Sequence, residues 1–257
     1  MLREIGSVMG QAIRLRRHAA RPQVIMEECS GYYPLFLSLE GRSCLVVGGG
    51  SVGERKVGTL LRCGASIRVV ARALTAGLEE KRALGAIVWA ATDYDRSQLA
   101  GVSLAFAATD DMDLNRTIAA DARELGIWCN MATDPELGSF IVPSLFERGK
   151  LTIAISTAGG SPAIAKLLRQ KLEQEFGPEW DFFVRLLGKF RETFKAGGME
   201  ASGREVLSRL ARLPIPEWLK DGRVEEAFEK TVQSCRPVLS EAETRAVWEN
   251  LCNLFSW

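Results

Sequence analysis

A glycine-rich segment at residues 48–53, GGGSVG, has the spacing that points most directly to chemistry. It follows a short apolar run, opens a segment of helical periodicity, and fits the pattern G-x-G-x-x-G. In that pattern the first glycine permits a tight turn, the second lets a pyrophosphate approach the backbone, and the third lets helix pack on strand. The helix N-terminus adds amide donors and a positive dipole. We predict a dinucleotide site whose phosphate-binding residues are Gly48, Gly50, Ser51, Val52 and Gly53.

The end of the second strand departs from the usual dinucleotide pattern. Residues 69–74 read VVARAL and contain no acid to bind the adenosine ribose. Arg72 could favour a 2′-phosphate, and so NADP, or it could be a solvated surface arginine, and we prefer the second interpretation. Arg72 and Leu74 remain cofactor-binding candidates, and NAD is the expected cofactor.

Composition excludes several classes of protein. Lys plus Arg is 33 and Asp plus Glu is 32, a balance that argues against nucleic-acid binding through bulk charge. No run approaches the roughly 20 apolar residues of a membrane helix. The six cysteines form no CxxC pair, which favours reduced thiols in a cytoplasmic protein over a zinc or disulfide framework. His18 is the only histidine, so triads and His-ligated metal sites are nearly excluded. Acid–base chemistry must therefore use carboxylates, hydroxyls or lysine.

Strands and helices alternate from Tyr33 to about Val142. Apolar, β-rich runs predict strands at residues 44–47, 67–70, 86–89, 104–107 and 127–130. Helical periodicity at 52–62 and 114–125 separates some of them. This alternation predicts a Rossmann-like α/β fold with a parallel sheet, because parallel strands need crossover connections.

The pattern changes after the fifth strand. The runs 140–145 and 151–156 predict a β-hairpin that turns at 147–150. Ser161-Pro162 then begins a helix that continues to about Glu175, with Ile164, Leu167, Leu168 and Leu172 on one face. The rest is helical, with breaks at 197–198, 214–216 and 236–237. The predicted domains are a disordered N-terminal extension at 1–30, a Rossmann domain at 31–143, a dimerisation and substrate-cleft segment at 144–195, and a helical region at 196–257.

Six segments form a set that is more specific than the glycine loop alone. They are YPLF at 33–36, VVGGGSVGERK at 46–56, AATDD at 107–111, CN at 129–130, SFIVP at 139–143 and STAGGSPA at 156–163. In this order and spacing they cover about residues 33–195 and resemble the precorrin-2 dehydrogenase and sirohydrochlorin ferrochelatase module of the siroheme synthase family.

The resemblance implies an activity and an assembly. Enzymes of this family oxidise precorrin-2, a tetrapyrrole, to sirohydrochlorin with NAD⁺, and many also insert Fe²⁺ to give siroheme. They are homodimers in which the hairpin and the helices after it form the interface. Some are fused to a methyltransferase that makes precorrin-2, and with 257 residues in this sequence methylation is not expected here.

The resemblance also implies site residues. Thr109 and Asp110, after the fourth strand, are expected near the cofactor. Thr157 takes the place of a serine that is phosphorylated in some relatives. Because the substrate carries many carboxylates, Arg148, Lys150, Lys166 and Arg169 are candidates for the cleft, although each is more readily an ordinary surface charge. The residues expected to bind substrate are Asn130, Ser156, Thr157, Gly159 and Lys166.

One position departs from the family pattern. Thr133 occupies the place of an aspartate proposed as the general base, and Asp134 is the next residue. A threonine hydroxyl is too weak a base to remove pyrrole protons near neutral pH, whereas a carboxylate can do so and can hold Fe²⁺ transiently. Asp134 is either the catalytic base or a turn residue before Pro135.

Three functions stay open from the sequence. The first is an NAD-dependent dehydrogenase that also inserts iron, and the second is a dehydrogenase alone. The third is an NAD(H)-sensing regulatory module without catalysis, against which the segment 156–163 argues.

Overall fold

The computed structural model describes residues 31–255, so the expectation of disorder at 1–30 lies outside the described residues. Its sheet has five strands: β1 (Ser43–Val47), β2 (Ser66–Val70), β3 (Ile87–Ala91), β4 (Leu104–Ala107) and β5 (Trp128–Met131). All neighbouring pairs are parallel, in the order β3-β2-β1-β4-β5. The predicted Rossmann-like α/β class is confirmed.

Helices cover both faces of this sheet. α1 (Ser51–Arg62) and α2 (Ala76–Ala83) pack on the face that includes Val46, and α3 (Met112–Glu124) packs on the face that includes Val47. The central strand β1 is therefore buried on both sides, which explains its continuous apolar run.

The strand order reverses between β1 and β4, both of which end at the same edge of the sheet. Gly48 follows β1, and Ala108 follows β4, where its amide donates to the Val47 carbonyl at 2.8 Å. Open α/β sheets bind ligands in the crevice at such a reversal. The fold thus brings the glycine loop beside the segment that begins with Ala108.

The hairpin consists of β6 (Ser144–Arg148) and β7 (Leu151–Ile155), joined by Gly149-Lys150. The expectation that a strand begins at Phe140 is wrong. Residues 139–140 instead run beside β5, where the Ser139 amide donates to the Cys129 carbonyl at 2.8 Å. Pro143, which has no N–H to donate to a ladder, separates this segment from β6.

The rest of the described chain is helical: α4 (Pro162–Glu175), α5 (Pro178–Ala196), α6 (Glu200–Leu210), α7 (Ile215–Lys220), α8 (Val224–Cys235) and α9 (Glu241–Phe255). Ser161 caps α4, as predicted, by accepting from the Ile164 amide at 3.3 Å. Phe182 and Phe190 of α5 are fully buried in a core shared with α6 to α9. Between residues 31 and 255, no helix combines the length and apolar character needed to cross a membrane.

Candidate functional site

Packing requires two of the three glycines in the pattern. Gly48 has φ +126°, and a Cβ there would lie 2.2 Å from the Ala108 carbonyl oxygen. A Cβ at Gly53 would lie 2.1 Å from the Gly48 carbonyl oxygen. Both distances are too short for any side chain, so glycine lets α1 and the loop after β4 approach closely.

Gly50 has a different environment. No non-neighbouring atom of the described chain lies within 4 Å of a Cβ built on Gly50, so its backbone faces open space. Gly50 is also the N-cap of α1, and no described side chain caps this helix end. The first amides of α1 are therefore available to an anion, and the open space leaves room for one. This geometry fits the pyrophosphate of a dinucleotide.

Gly49 was missed by the sequence analysis, although it holds the loop after β2 against the glycine segment. A Cβ at Gly49 would lie 2.0 Å from the Ala73 carbonyl oxygen, and the Thr75 amide donates to the Gly49 carbonyl at 3.0 Å. The Glu54 carboxylate accepts from the Thr75 hydroxyl at 2.7 Å. These contacts keep residues 71–75, which include the partly buried Leu74, beside the phosphate loop.

Arg72 lies on the surface. Its side chain is 88% exposed, and its Nε donates to Asp93 Oδ1 at 3.0 Å. This hydrogen bond lowers the pKa of Asp93 below its ordinary value. The carboxylate beside Arg72 would repel a 2′-phosphate, so this environment favours the interpretation of Arg72 as a solvated arginine.

A buried amide connects the ends of β4 and β5. The Asn115 side chain on α3 accepts from the Thr109 hydroxyl at 2.7 Å and donates to the Thr109 carbonyl at 2.9 Å. Its amide nitrogen also lies 3.5 Å from the Thr133 hydroxyl. Asn115 is fully buried, and the sequence analysis missed it because a single asparagine in a helical pattern carries no periodic signal.

The two carboxylates after β4 have different environments. Asp111 caps α3 by accepting from the Asp113 and Leu114 amides, each at 3.0 Å. Asp110 is exposed.

The predicted catalytic pair lies where β5 gives way to a 3-10 turn. Thr133 is exposed and Asp134 is half-buried. Asp134 occupies the N-cap position of the turn Pro135–Leu137, but its side chain makes no capping hydrogen bond. Its carboxylate therefore does not stabilise the turn by hydrogen bonding, as an aspartate before proline usually does.

Asn130 is 5% exposed, which is unlike a residue in an open cleft. Its Nδ2 donates to the Phe140 carbonyl at 3.0 Å. Its Oδ1 has no hydrogen-bond donor among the described residues.

The loop between β7 and α4 is shaped by its own hydroxyl groups. Ser156 Oγ accepts from the Ala158 amide, and Thr157 Oγ1 accepts from the Ser161 amide, each at 3.0 Å. Ala158 adopts φ +51°, a left-handed conformation that is rare for alanine. The next residue, Gly159, has φ +88°.

The four basic candidates differ in their contacts. Arg148 donates to the Phe176 carbonyl at 3.0 Å, and Arg169 pairs with Glu173, so both are engaged in local packing. Lys166 is exposed, and neither it nor Lys150 forms an ion pair within the described chain. Residues 31–255 contain no group of three or more His, Cys, Asp or Glu side chains arranged to hold a metal ion.

Comparisons with known proteins divide the chain in the same way as the fold. A family model of NAD(P)-binding domains matches residues 35–144, and the family model of the central part of sirohaem biosynthesis proteins matches residues 148–175. The first spans the parallel sheet, and the second begins at the end of β6 and ends with α4.

The similar curated proteins are siroheme synthases. Siroheme synthase 3 of Aeromonas hydrophila is 40% identical over 165 residues, which are 64% of this chain and 35% of that protein. The siroheme synthase of Sodalis glossinidius is 35% identical over 209 residues, which are 79% of this chain and 43% of that protein. The chain thus spans less than half the length of these relatives.

A solved structure described as SirC, precorrin-2 dehydrogenase, is similar over its whole length. It is 26% identical, it covers 76% of this chain and 100% of its own, and the TM-score is 0.60. The chain carries, in order, a segment that matches the NAD(P)-binding model and a segment that matches the central part of sirohaem biosynthesis proteins, and it is similar to siroheme synthases over these segments.

Proposed function

We propose that this chain oxidises precorrin-2 to sirohydrochlorin with NAD⁺ as the hydride acceptor. The main support is the open, amide-lined space at Gly50, in the crevice between β1 and β4 and on the same sheet edge as Asp134. The similarity to a precorrin-2 dehydrogenase over its entire length supports the choice of substrate.

The reaction removes two hydrogens from the tetrapyrrole, one as a hydride and one as a proton. NAD⁺ supplies the hydride acceptor when it is bound. Gly48, Gly50 and the first amides of α1 would hold its pyrophosphate, and Thr109 would line the crevice after β4. Asp134 takes the proton, because its carboxylate makes no capping hydrogen bond to the 3-10 turn and the hydroxyl of Thr133 is too weak a base.

The test follows the absorbance of precorrin-2 under anaerobic conditions, with and without NAD⁺. The native protein should form sirohydrochlorin only with NAD⁺. Asp134→Ala should lower kcat by about a hundredfold or more, the usual effect of losing a general base. The matched control is Glu136→Ala, which removes an exposed carboxylate from the same turn and should leave kcat unchanged.

Two results would contradict this proposal. Equal rates for Asp134→Ala and the native protein would remove Asp134 as the base. Binding of NAD⁺ without any oxidation of precorrin-2 would favour the NAD(H)-sensing module.

Iron insertion is examined in the same experiment, with Fe²⁺ as a second substrate. Adding Fe²⁺ after oxidation should form siroheme faster than in a protein-free control if Asp134 replaces the family aspartate in both steps. A rate equal to the control would mean that this chain catalyses dehydrogenation alone. The loss of iron insertion would then be attributed to Thr133, which stands in place of the aspartate.

We also propose that the chain forms a homodimer through α4 and the hairpin. Ile164, Leu167 and Leu168 lie on one face of α4 and are 47%, 46% and 42% exposed. The hairpin has only two strands, and such a sheet is marginal without a further packing surface. A second copy of the chain would cover this apolar face.

A further inference from the structure

Lys56 lies on the flank of α1 that faces β4, and its ammonium group has no anionic partner among the described residues. The Lys56 Nζ is 5.8 Å from the centre of the Phe106 ring, and the side chain is half-buried. No carboxylate of the described residues lies within ion-pair distance of it. Burial, with a smaller contribution from Arg55, lowers the pKa of Lys56 from 10.5 to about 8. An unpaired charge in such a place disfavours the folded state.

An acceptor without a donor adjoins the same ring. Asn130 pairs with Phe106 in the β4–β5 register, so both side chains lie on the same face of the sheet. The Asn130 Nδ2 donates to the Phe140 carbonyl, and the buried Oδ1 lacks a donor among residues 31–255. Phe140 packs edge-on against Phe106, with ring centres 5.6 Å apart. The Lys56 ammonium, which lacks an anionic acceptor among the described residues, and the Asn130 Oδ1, which lacks a donor there, therefore both lie near the Phe106 ring.

Both groups lie close to the strand ends where the reaction is proposed. Phe106 and Asn130 are the penultimate residues of β4 and β5. On their face of the sheet, α1 and α2 pack mainly over β1, β2 and β3, whereas α3 packs on the opposite face. This arrangement leaves the face over β4 and β5 without a crossover helix of its own.

We propose that Lys56 and Asn130 form a subsite for one carboxylate side chain of the tetrapyrrole substrate, an inference that rests on the proposed dehydrogenase function. An amide oxygen cannot bind a carboxylate directly, because both are acceptors. The ammonium group of Lys56 has three donors, so it can donate to Asn130 Oδ1 and to the carboxylate together. One bound carboxylate would thus satisfy the unpaired charge and direct the lysine toward Asn130.

The test measures the Kd of sirohydrochlorin, which keeps the carboxylates of the substrate, by absorbance titration without NAD⁺. Lys56→Met keeps an unbranched apolar side chain that ends where the lysine Cε lies, and it removes the charged ammonium group. It should weaken binding by about tenfold or more, the effect of losing a charge-assisted hydrogen bond, while the Kd of NAD⁺ stays the same. Lys56→Arg should restore part of the affinity. The control Arg55→Met removes the neighbouring exposed cation and should change neither the Kd of sirohydrochlorin nor that of NAD⁺.

Thermal unfolding distinguishes a binding role from a structural one. Lys56→Met should raise Tm at pH 7, because it removes a half-buried charge that has no anionic partner among the described residues. The gain should shrink between pH 8 and 10.5, where the native lysine is neutral in the folded state but still protonated in the unfolded chain. Arg55 is the charged neighbour that contributes to this shift; the groups facing Lys56 from β4 and β5 are uncharged.

Two outcomes overturn the subsite. An unchanged Kd for sirohydrochlorin in Lys56→Met would remove Lys56 from the substrate site while leaving the dehydrogenase proposal intact. A lower Tm together with equal weakening of NAD⁺ and sirohydrochlorin would make Lys56 a structural residue. Absence of precorrin-2 oxidation by the native protein is a separate result, and it would reject the proposed function and the subsite with it.

Discussion

The three glycines of the phosphate loop have different physical roles, although the sequence pattern treats them alike. Gly48 and Gly53 are needed because backbone from elsewhere in the protein lies where their side chains would be. Gly50 has no such neighbour, and its φ of −82° is open to any residue. If a ligand occupies the space at Gly50, substitution there should affect binding rather than folding.

Gly48→Ala and Gly50→Ala therefore form a matched pair. Gly48→Ala should lower the free energy of unfolding by about 1–3 kcal/mol, the cost of a strained left-handed position, and more if the contact at 2.2 Å cannot relax. Gly50→Ala should lower the free energy of unfolding by about 1 kcal/mol or less, the cost of alanine at a helix N-cap, but should weaken NAD⁺ binding by about tenfold. Denaturant unfolding and a titration with NAD⁺ measure both effects. An unchanged Kd in Gly50→Ala would show that the cofactor does not approach this backbone.

Residue-scale prediction from the sequence was uneven for a physical reason. The glycine loop could be predicted as a phosphate site because the pattern consists of contiguous residues. Asn115 and Lys56 could not be singled out, because the contact of Asn115 with Thr133 and that of Lys56 with Phe106 exist only in the folded chain.

Among the elements, the start and the apolar face of α4 were predicted well from the sequence, but what this face packs against was not. Ser161 and Pro162 give its start, and the spacing of its leucines gives its apolar face. The same pattern in a monomer usually faces a core, whereas here Leu167 and Leu168 face outward. The short α2 was missed, because eight residues with one buried side chain, Leu78, show little periodicity.

The outward face of α4 leads to a prediction about assembly. Leu167→Glu should convert the proposed dimer to a monomer, because it would bury a carboxylate in an apolar interface. Gln233→Glu adds the same charge to an exposed polar position on α8, away from α4, and should leave the dimer intact. Light scattering coupled to size-exclusion chromatography measures the mass of each. A native protein that is already monomeric would contradict the proposal.

Across the whole molecule, the hairpin is held from two sides. Arg62 of α1 pairs with Glu147 of β6 at 3.0 Å, and Asp181 of α5 accepts from the Lys150 amide at 2.7 Å. The hairpin thus connects the parallel sheet with the helical core. The sequence predicts a parallel sheet followed by helices, but not the contacts that join them, because contacts between distant residues leave no periodic signal.

In the reaction that we propose, the chain transfers a hydride from precorrin-2 to NAD⁺. The most direct measurement counts NADH against sirohydrochlorin in one anaerobic reaction, by absorbance for NADH and by chromatography for the tetrapyrrole. We expect one NADH for each sirohydrochlorin formed. Sirohydrochlorin formed without NADH, or NAD⁺ bound with precorrin-2 unchanged, would contradict it.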